Sequence, residues 1–354
     1  MRYDAVVIGA GIAGLSAALK LSAGGKKVLL LEKEPSAGGY ASSFKRQGFT
    51  FEAAVHCVDS LGPRGEVRRF LEEQGVAAKL SFIELKAFGR IIYPGREFTA
   101  DFRSKSFARY LKDNFPSEEK GIDRFFLYLK NFYCRFDRFC ASKLPDWLNL
   151  ALLPFVCPGL IILSPQTLEQ FLSRYFRDDK LKAIVGDIWR FSGLPPAKLS
   201  ALFFLLVFRG YYYEPTAYVK GGMRQIFLAM AEKLQENGSE IRYNTRVQKI
   251  ITGAGRVKAV VSDRGEEFSC RAVISNANAI ETLTRMLDDA KARALYEKTL
   301  LPLDKSISAF QVYLGLSVPA RELGMRDYFL AVNSGYDHED DFFAAWPRIT
   351  IAAL

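Results

Sequence analysis

Two short runs of consecutive apolar residues open the chain, Tyr3 to Ile8 and Lys27 to Leu31. Each is too short for a stable helix and ends at a polar or glycine boundary, which predicts strands buried on both faces of a parallel sheet. Between them, Ala13 to Ala23 is alanine-rich with apolar residues at helical spacing, and Gly24-Gly25 stops it. Strand, helix and strand fit within roughly 30 residues, the size of a βαβ unit. The chain therefore begins as an α/β domain.

The pattern changes after Phe51. Between Phe102 and Phe208 the sequence is densely aromatic, with Phe125, Phe126, Phe132, Tyr133, Phe136 and Phe139 recurring at helical spacing, which predicts a separate, mostly helical domain. From Tyr218 a different signature returns. A turn at Lys220-Gly221-Gly222 leads into a helix reaching Leu234; Glu240 to Tyr243 and Val247 to Ile251 follow as alternating strands. A hairpin turn at Gly253 to Gly255 joins the next strand, Val257 to Ser262, and Arg271 to Ile274 is a further apolar strand ending at Ser275-Asn276-Ala277. The expected organisation is one α/β domain in two parts, residues 1–100 and 216–290, with a mostly helical insertion over 101–215. Residues 291–354 are expected to begin a second segment of that inserted domain.

Within the insertion, Trp147 to Leu163 (WLNLALLPFVCPGLIIL) is uncharged and almost wholly apolar. A spanning helix needs about 20 residues, and Pro154 and Pro158 would interrupt hydrogen bonding here, so a bilayer crossing is not expected. Two readings remain, a broken core helix or a monotopic patch dipping into one leaflet.

Chemistry concentrates at the first turn. Gly9-Ala10-Gly11-Ile12-Ala13-Gly14 stands between a predicted strand and a predicted helix, the context that gives a GxGxxG spacing its meaning. Gly9 permits the tight turn, Gly11 clears a path for a pyrophosphate to reach the backbone, and Gly14 lets the helix pack closely on the sheet. The helix N-terminus then offers free N–H groups and a favourable dipole to phosphate. Glu32, at the end of the second strand, is suited to accept hydrogen bonds from ribose hydroxyls and to repel a 2′-phosphate. These features fit NAD and FAD equally.

Composition narrows the partners. The chain has 354 residues, 49% hydrophobic and 25% charged, which suits a globular protein of two domains and excludes a mainly disordered one. A formal net charge of +10 favours acidic surfaces. The basic residues are scattered and no nucleic-acid motif accompanies them, so a membrane surface is expected as a partner and nucleic acid is not. Five cysteines form no CxxC pair, and with two histidines there is no metal-ligand cluster. The first strand begins at once, leaving no room for a signal peptide, so the expected location is cytoplasmic and peripheral to the membrane.

Several segments together carry a resemblance: VVIGAGIAGLSAALKL, LLEKEPSAGGYASSF, GFTFEAAVH, YVKGGM, the block from Ile241 to Val261, AVISNAN and AFQVYLGL. The sequence resembles the FAD-dependent phytoene desaturase, carotenoid isomerase and retinol-saturase-like group of the flavin amine oxidase superfamily, over nearly its whole length. The resemblance implies a Rossmann-like FAD/NAD(P)-binding domain carrying an inserted substrate domain, with FAD as cofactor and an apolar polyene as substrate. It implies that the Gly38-Gly39 turn approaches the FAD pyrophosphate, that Ser42 or Ser43 donates a further hydrogen bond, and that the backbone of Val247 meets the adenine. The expected cofactor-binding set is thus Gly9, Gly11, Ala13, Gly14, Glu32, Lys33, Gly38, Gly39, Ser42, Ser43 and Val247. His56, Gly221, Gly222 and Met223 are expected near a substrate cavity; no catalytic dyad or metal is expected, because the difficult chemistry would belong to the flavin.

Two departures from the group's pattern stand out. Tyr40 follows the glycine pair where many desaturases have arginine, and Phe51-Glu52-Ala53-Ala54 replaces the commoner F-D-x-G. Members of the group also continue well beyond this length, so the chain, ending in RITIAAL, is expected to be a truncated form or a fragment. The expected activity is desaturation, saturation or isomerisation of C=C bonds. The alternatives are a flavin amine oxidase or protoporphyrinogen-oxidase-like enzyme, and a lipid-binding protein like the Rab GDP-dissociation inhibitors.

Overall fold

The opening apolar run forms β1 (Tyr3–Ile8), with every residue but Asp4 buried, and after the glycine turn α1 (Ile12–Ala23) returns the chain to β2 (Val28–Leu31), all four of whose residues are buried. The two strands pair in parallel with Ala5 opposite Val28 and Ile8 opposite Leu31. A hairpin of β3 (Ser43–Arg46) and β4 (Phe49–Glu52), a helix α2 (Glu66–Glu73) and a short β5 (Phe82–Glu84) follow. The computed structural model describes residues 2–55, 57–62, 65–85, 87–101, 104–212, 216–303, 310–325, 327–339 and 350–352. They divide into two units, Met1–Glu84 with Ala217–Lys305, and Leu85–Thr216 with Ser306–Leu354.

The second unit opens with the antiparallel pair β6 (Ala87–Tyr93) and β7 (Arg96–Asp101), then runs through α3 (Ser104–Asn114), α4 (Glu119–Cys140), α5 (Asp146–Val156), α6 (Pro158–Leu163), α7 (Leu168–Leu172), α8 (Asp179–Gly186) and α9 (Ala201–Tyr212). The first unit resumes with β8 (Ala217–Val219), antiparallel to β5, and continues as α10 (Arg224–Glu236), β9 (Glu240–Arg242), β10 (Val247–Gly253), β11 (Arg256–Ser262), β12 (Glu267–Ser275) and α11 (Ala290–Leu300). Back in the second unit, β13 (Phe329–Val332) pairs in parallel with β6 and antiparallel with β14 (Thr350–Ala352).

In the first unit a six-stranded sheet has the order β10-β11-β12-β1-β2-β9. The four strands β12, β1, β2 and β9 are parallel, and β10 and β11 extend them as an antiparallel meander. Alternation of side chains along the strands sorts the core into two faces. Val7, Val28 and Leu30 join Leu15 and Leu19 of α1 and Met230 and Leu234 of α10 on one face. Val6, Ile8, Leu29 and Leu31 meet Val247, Ile250 and Val260 of the meander on the other. This double coverage is why β2, and β1 from Ala5 onward, read as continuous apolar runs.

The aromatic residues of the second unit form a helical core. Phe125 of α4 is completely buried, with its ring centroid 5.2 Å from that of Phe176, 6.1 Å from Phe171 and 6.2 Å from Phe208. The same unit encloses a polar cluster. Asp187, just past α8, accepts hydrogen bonds from the Tyr93 hydroxyl at 2.6 Å and Asn333 Nδ2 at 3.1 Å, and pairs with the Arg190 guanidinium. Arg190 Nη2 also donates to Asn333 Oδ1 at 2.9 Å. The cluster ties β6 and the end of β13 to the α8 region.

The structure departs from the expected boundaries. The first α/β segment ends at Glu84, not at residue 100, because β6 forms its ladders with β7 and β13 in the second unit. That unit accordingly carries a four-stranded sheet, β14-β13-β6-β7, beside its helices. The return comes at Ala217, and α11 stays with the first unit, so the second crossing falls at Ser306 in place of 291. Trp147 to Leu163 forms two helices broken at Cys157-Pro158, and no residue of α5 is buried, which removes the core-helix reading for that half. Among the described residues, no helix is long and apolar enough to cross a membrane.

The Asp187 cluster yields a stability prediction. The Asp187 and Arg190 side chains are 2% and 10% exposed, so removing the carboxylate strands a buried cation. Asp187→Ala is expected to destabilise the second unit by about 3–5 kcal/mol. Urea denaturation followed by tryptophan fluorescence, which reports on Trp189, measures it; a change within about 0.5 kcal/mol, typical of surface substitutions, would show the cluster contributes little.

Candidate cofactor-binding site

Glu32 organises the site. It is 6% exposed, and its carboxylate accepts the Ala10 N–H on Oε2 at 2.6 Å and the Glu34 N–H on Oε1 at 2.9 Å. Its backbone is held as firmly, with its N–H donating to the Arg242 carbonyl and its carbonyl accepting from Thr245 N–H. These bonds fix the end of β2 against the turn that follows β1. The Tyr243 phenol beside it is pushed above its ordinary pKa, first by burial and then by the Glu32 charge. Each carboxylate oxygen retains a second lone pair for a further donor.

The glycines of the turn are there for space. Gly9 has φ +95°, in the region that side chains disfavour, and its N–H donates to the Leu31 carbonyl at 2.8 Å. A Cβ on Gly14 would lie 2.0 Å from the Gly9 carbonyl oxygen, so only glycine lets α1 approach β1 this closely. Gly11 is the N-cap residue of α1, with no side-chain cap and no acidic residue in the first turn. Ile12 and Ala13, the first helical residues, are both exposed. The amides of this first helical turn have no intrahelical acceptor and are oriented for an anion.

The second glycine turn closes on the first. Gly38 N–H donates to the Ala10 carbonyl at 3.1 Å, and a Cβ on Gly39 would sit 3.2 Å from Gly11 Cα. Both residues have positive φ, 142° and 57°. Gly9, Gly11, Gly14, Glu32, Gly38 and Gly39, far apart in two motifs of the sequence, thus form one backbone-lined cradle. Tyr40, which follows the glycine pair, is 91% exposed.

The remaining expected residues divide. Ser42 follows the turn, half-buried. Ser43 lies in β3, where its hydroxyl donates to Glu52 at 2.9 Å. Lys33 is solvent-exposed and pairs with Glu34 at 3.7 Å. Val247, buried at 3%, begins β10 opposite Ser262, two residues beyond the Thr245 that bonds Glu32. His56 lies outside the described residues.

Gly222 and Met223 gather on Glu52, whereas Gly221 faces the Gln225 side chain. The Glu52 carboxylate accepts the Met223 N–H at 3.0 Å and the Tyr218 hydroxyl at 3.2 Å as well as Ser43. Gly222 has φ +102°, and a Cβ there would meet Glu52 Oε1 at 2.6 Å. Burial, followed by the Glu52 charge, pushes the Tyr218 phenol up to about 12. Met223 itself is 1% exposed, packed into the core, so this turn anchors the β3–β4 hairpin to α10.

One residue at the cradle was not singled out by the sequence. Asn276, immediately after β12, donates its backbone N–H to the Ile8 carbonyl at 2.8 Å, and its side chain lies against the phosphate-type turn. A Cβ on Gly11 would come within 2.6 Å of Asn276 Nδ2, and one on Gly14 within 3.3 Å of Asn276 Cβ. The signal that would have found it is positional: β12 is the parallel neighbour of β1, and ligands in such sheets bind outside the carboxyl ends of the strands.

The donor set fits a dinucleotide cofactor. Two closely packed glycine turns that present backbone, an uncapped helix N-terminus and a carboxylate at the next strand end match a pyrophosphate flanked by a ribose.

Comparisons with known proteins agree with this geometry. The chain is 26% identical to the inactive all-trans-retinol 13,14-reductase of Danio rerio, over 97% of this chain and 59% of that protein. It is 26% identical to 4,4′-diapophytoene desaturase (4,4′-diapolycopene-forming) of Methylomonas sp, over 95% of this chain and 67% of the relative. With the all-trans-retinol 13,14-reductase of Rattus norvegicus the identity is 27%, over 98% and 59%. The chain thus spans about three-fifths of the length of these retinol reductases. A crystal structure of an oxidoreductase from Methanosarcina mazei shares the fold, with TM-score 0.58, 20% identity, and coverage of 86% of this chain and 65% of that one. The family model described as flavin containing amine oxidoreductase matches residues 12–312, most of the chain, and carries flavin as the implied cofactor class. The chain belongs to the flavin containing amine oxidoreductase family.

Proposed function

We propose that the protein containing this chain is an FAD-dependent oxidoreductase acting on C=C or C–C bonds of an apolar polyene, by desaturation, saturation or isomerisation. The observation that carries the reading is the clasp of the two glycine turns around the Glu32 strand end. Support for the substrate class comes from relatives named for retinol reduction and diapophytoene desaturation.

In this reading the first-turn amides of α1 and the backbone of Gly38 and Gly39 hold the pyrophosphate, with the helix dipole favouring its charge. Glu32 orients the adenosine ribose through its free lone pairs, and its charge disfavours a 2′-phosphate. Val247 contributes backbone to the adenine, Ser42 a hydroxyl, and the Asn276 amide a donor beside the turn. Ser43 serves through Glu52, by holding the hairpin that leads out of the cradle. The flavin, when bound, supplies the capacity to accept or return a hydride equivalent. The chain's part is to orient the cofactor and keep water from an apolar substrate.

Contact with a membrane surface belongs to the same reading, since an apolar polyene resides there. The exposed apolar side chains of α5, with Leu150 at 68% and Phe155 at 80% exposure, are suited to lie in one leaflet.

Three measurements test these roles in the full-length protein. Glu32→Gln keeps the shape and one acceptor but removes the charge, and is expected to weaken FAD binding about tenfold, the effect of one charged hydrogen bond. Titration of the apoprotein with FAD reads this directly; unchanged affinity overturns the ribose role. Anaerobic mixing with a panel of polyenes and amines is expected to bleach the flavin band with a polyene, whereas bleaching by amines alone overturns the substrate class. Leu150→Asp with Phe155→Asp is expected to abolish co-flotation with liposomes while leaving the melting curve unchanged; retained flotation sinks the membrane contact.

A further inference from the structure

α5 is an unusual helix: it reads DWLNLALLPFV, and none of its residues is buried. Trp147 is 71% exposed, and the apolar surface continues onto α6, where Ile161 and Ile162 are also exposed. Beside these residues is a cavity of about 270 Å³ within the second unit. Its walls are aromatic and aliphatic, including Tyr128 and Phe132 of α4, Ile162 of α6 and Phe171 of α7. Gly159 admits α4 to this depth, because a Cβ there would lie 2.6 Å from the Phe132 ring.

Two guanidinium groups line the same cavity from different elements, Arg135 from α4 and Arg174 from the segment after α7. Their charges are felt inside it. Arg135 opposes the burial-driven rise of the Cys157 thiol, and Arg174 opposes that of the Tyr128 and Tyr175 phenols. No carboxylate is among the lining residues, and neither arginine has an acidic partner among the described residues. The reason lies in α4 itself. Its acids are committed elsewhere, Glu119 and Asp123 to Lys112 and Asp137 to Arg209. Among the described residues Lys120, Arg124, Lys130, Arg135 and Arg138 of α4 have no acidic partner, and an exposed apolar helix follows.

We propose that this cavity is a headgroup site for an anionic membrane phospholipid, with Arg135 and Arg174 holding its phosphate while α5 and α6 rest in the acyl layer. The inference rests on the membrane contact proposed above and adds to it a lipid class and a specific site. An apolar floor under paired cations matches an amphiphile, since the phosphate satisfies the charges and the glycerol and chain origins meet the ring faces. Uncompensated positive charge next to apolar anchors is also the combination that converts weak insertion into stable surface binding.

The test is flotation of the full-length protein with vesicles of pure phosphatidylcholine and of phosphatidylcholine with 30% phosphatidylglycerol. Wild type is expected to favour the anionic vesicles. Arg135→Gln with Arg174→Gln is expected to lower that affinity about fivefold for each guanidinium lost, roughly twentyfold for the pair. Arg124→Gln with Lys130→Gln removes the same charge from α4 outside the cavity and is expected to lower the affinity clearly less than the cavity pair does. Equal losses from the two pairs would overturn the site in favour of a diffuse field. Equal binding of wild type to both vesicles would overturn the lipid class yet leave the membrane contact standing. Binding to neither would remove the membrane contact and this site together.

Discussion

The Ala10 N–H points into the Glu32 carboxylate at 2.6 Å, and the geometry of the cofactor face follows from that bond. It joins the second residue after β1 to the residue after β2, at two strand ends that the parallel sheet already holds side by side. With the Ala10 N–H turned inward, its carbonyl is free to accept from Gly38, and the second glycine turn docks on the first. Close packing of α1 then depends on Gly14 having no side chain. A buried carboxylate is costly unless it is hydrogen-bonded, and here two backbone N–H groups donate to it.

A second carboxylate repeats the device with different partners. Glu52 collects a hydroxyl from β3, a phenol from β8 and the amide at the start of α10. Residues almost 170 positions apart in sequence converge on one acceptor, which welds the two halves of the first unit beyond the sheet itself. The second unit uses Asp187 in the same manner, gathering Tyr93, Arg190 and Asn333. In each unit a small number of hydrogen-bonded carboxylates, Glu32 and Asp187 buried and Glu52 half-buried, fixes how separately coded segments meet.

The legible part of the fold was the part with local cause. Gly9, Gly11, Gly14 and Glu32 could be read because strand, turn, helix and strand follow one another within one βαβ unit, so spacing alone defines their meeting. The turn at Gly38-Gly39 was suggested by resemblance, and its docking on Gly11 is a tertiary contact that no local pattern encodes. Asn276 was passed over because its importance comes from β12 pairing with β1 across more than 260 residues, a register invisible in either segment. The strands from Ala87 to Asp101 illustrate the opposite failure. They pair with each other, but β6 also pairs with β13, far along the chain, and that pairing decides domain membership. The Gly221-Gly222 turn was seen, while its reason, room for the Glu52 carboxylate, needed coordinates.

The break between α5 and α6 has a consequence for how this stretch can meet a bilayer. From Trp147 to Leu163 the sequence has nearly the apolar length that an insertion machinery accepts as a transmembrane segment. Continuous helix would close its own backbone hydrogen bonds and meet that requirement. The structure departs from it at Cys157-Pro158, where α5 ends and Pro158 begins α6, while Pro154 is accommodated inside α5. The break therefore divides a near-spanning apolar stretch into two shorter helices, neither long enough to cross a bilayer by itself.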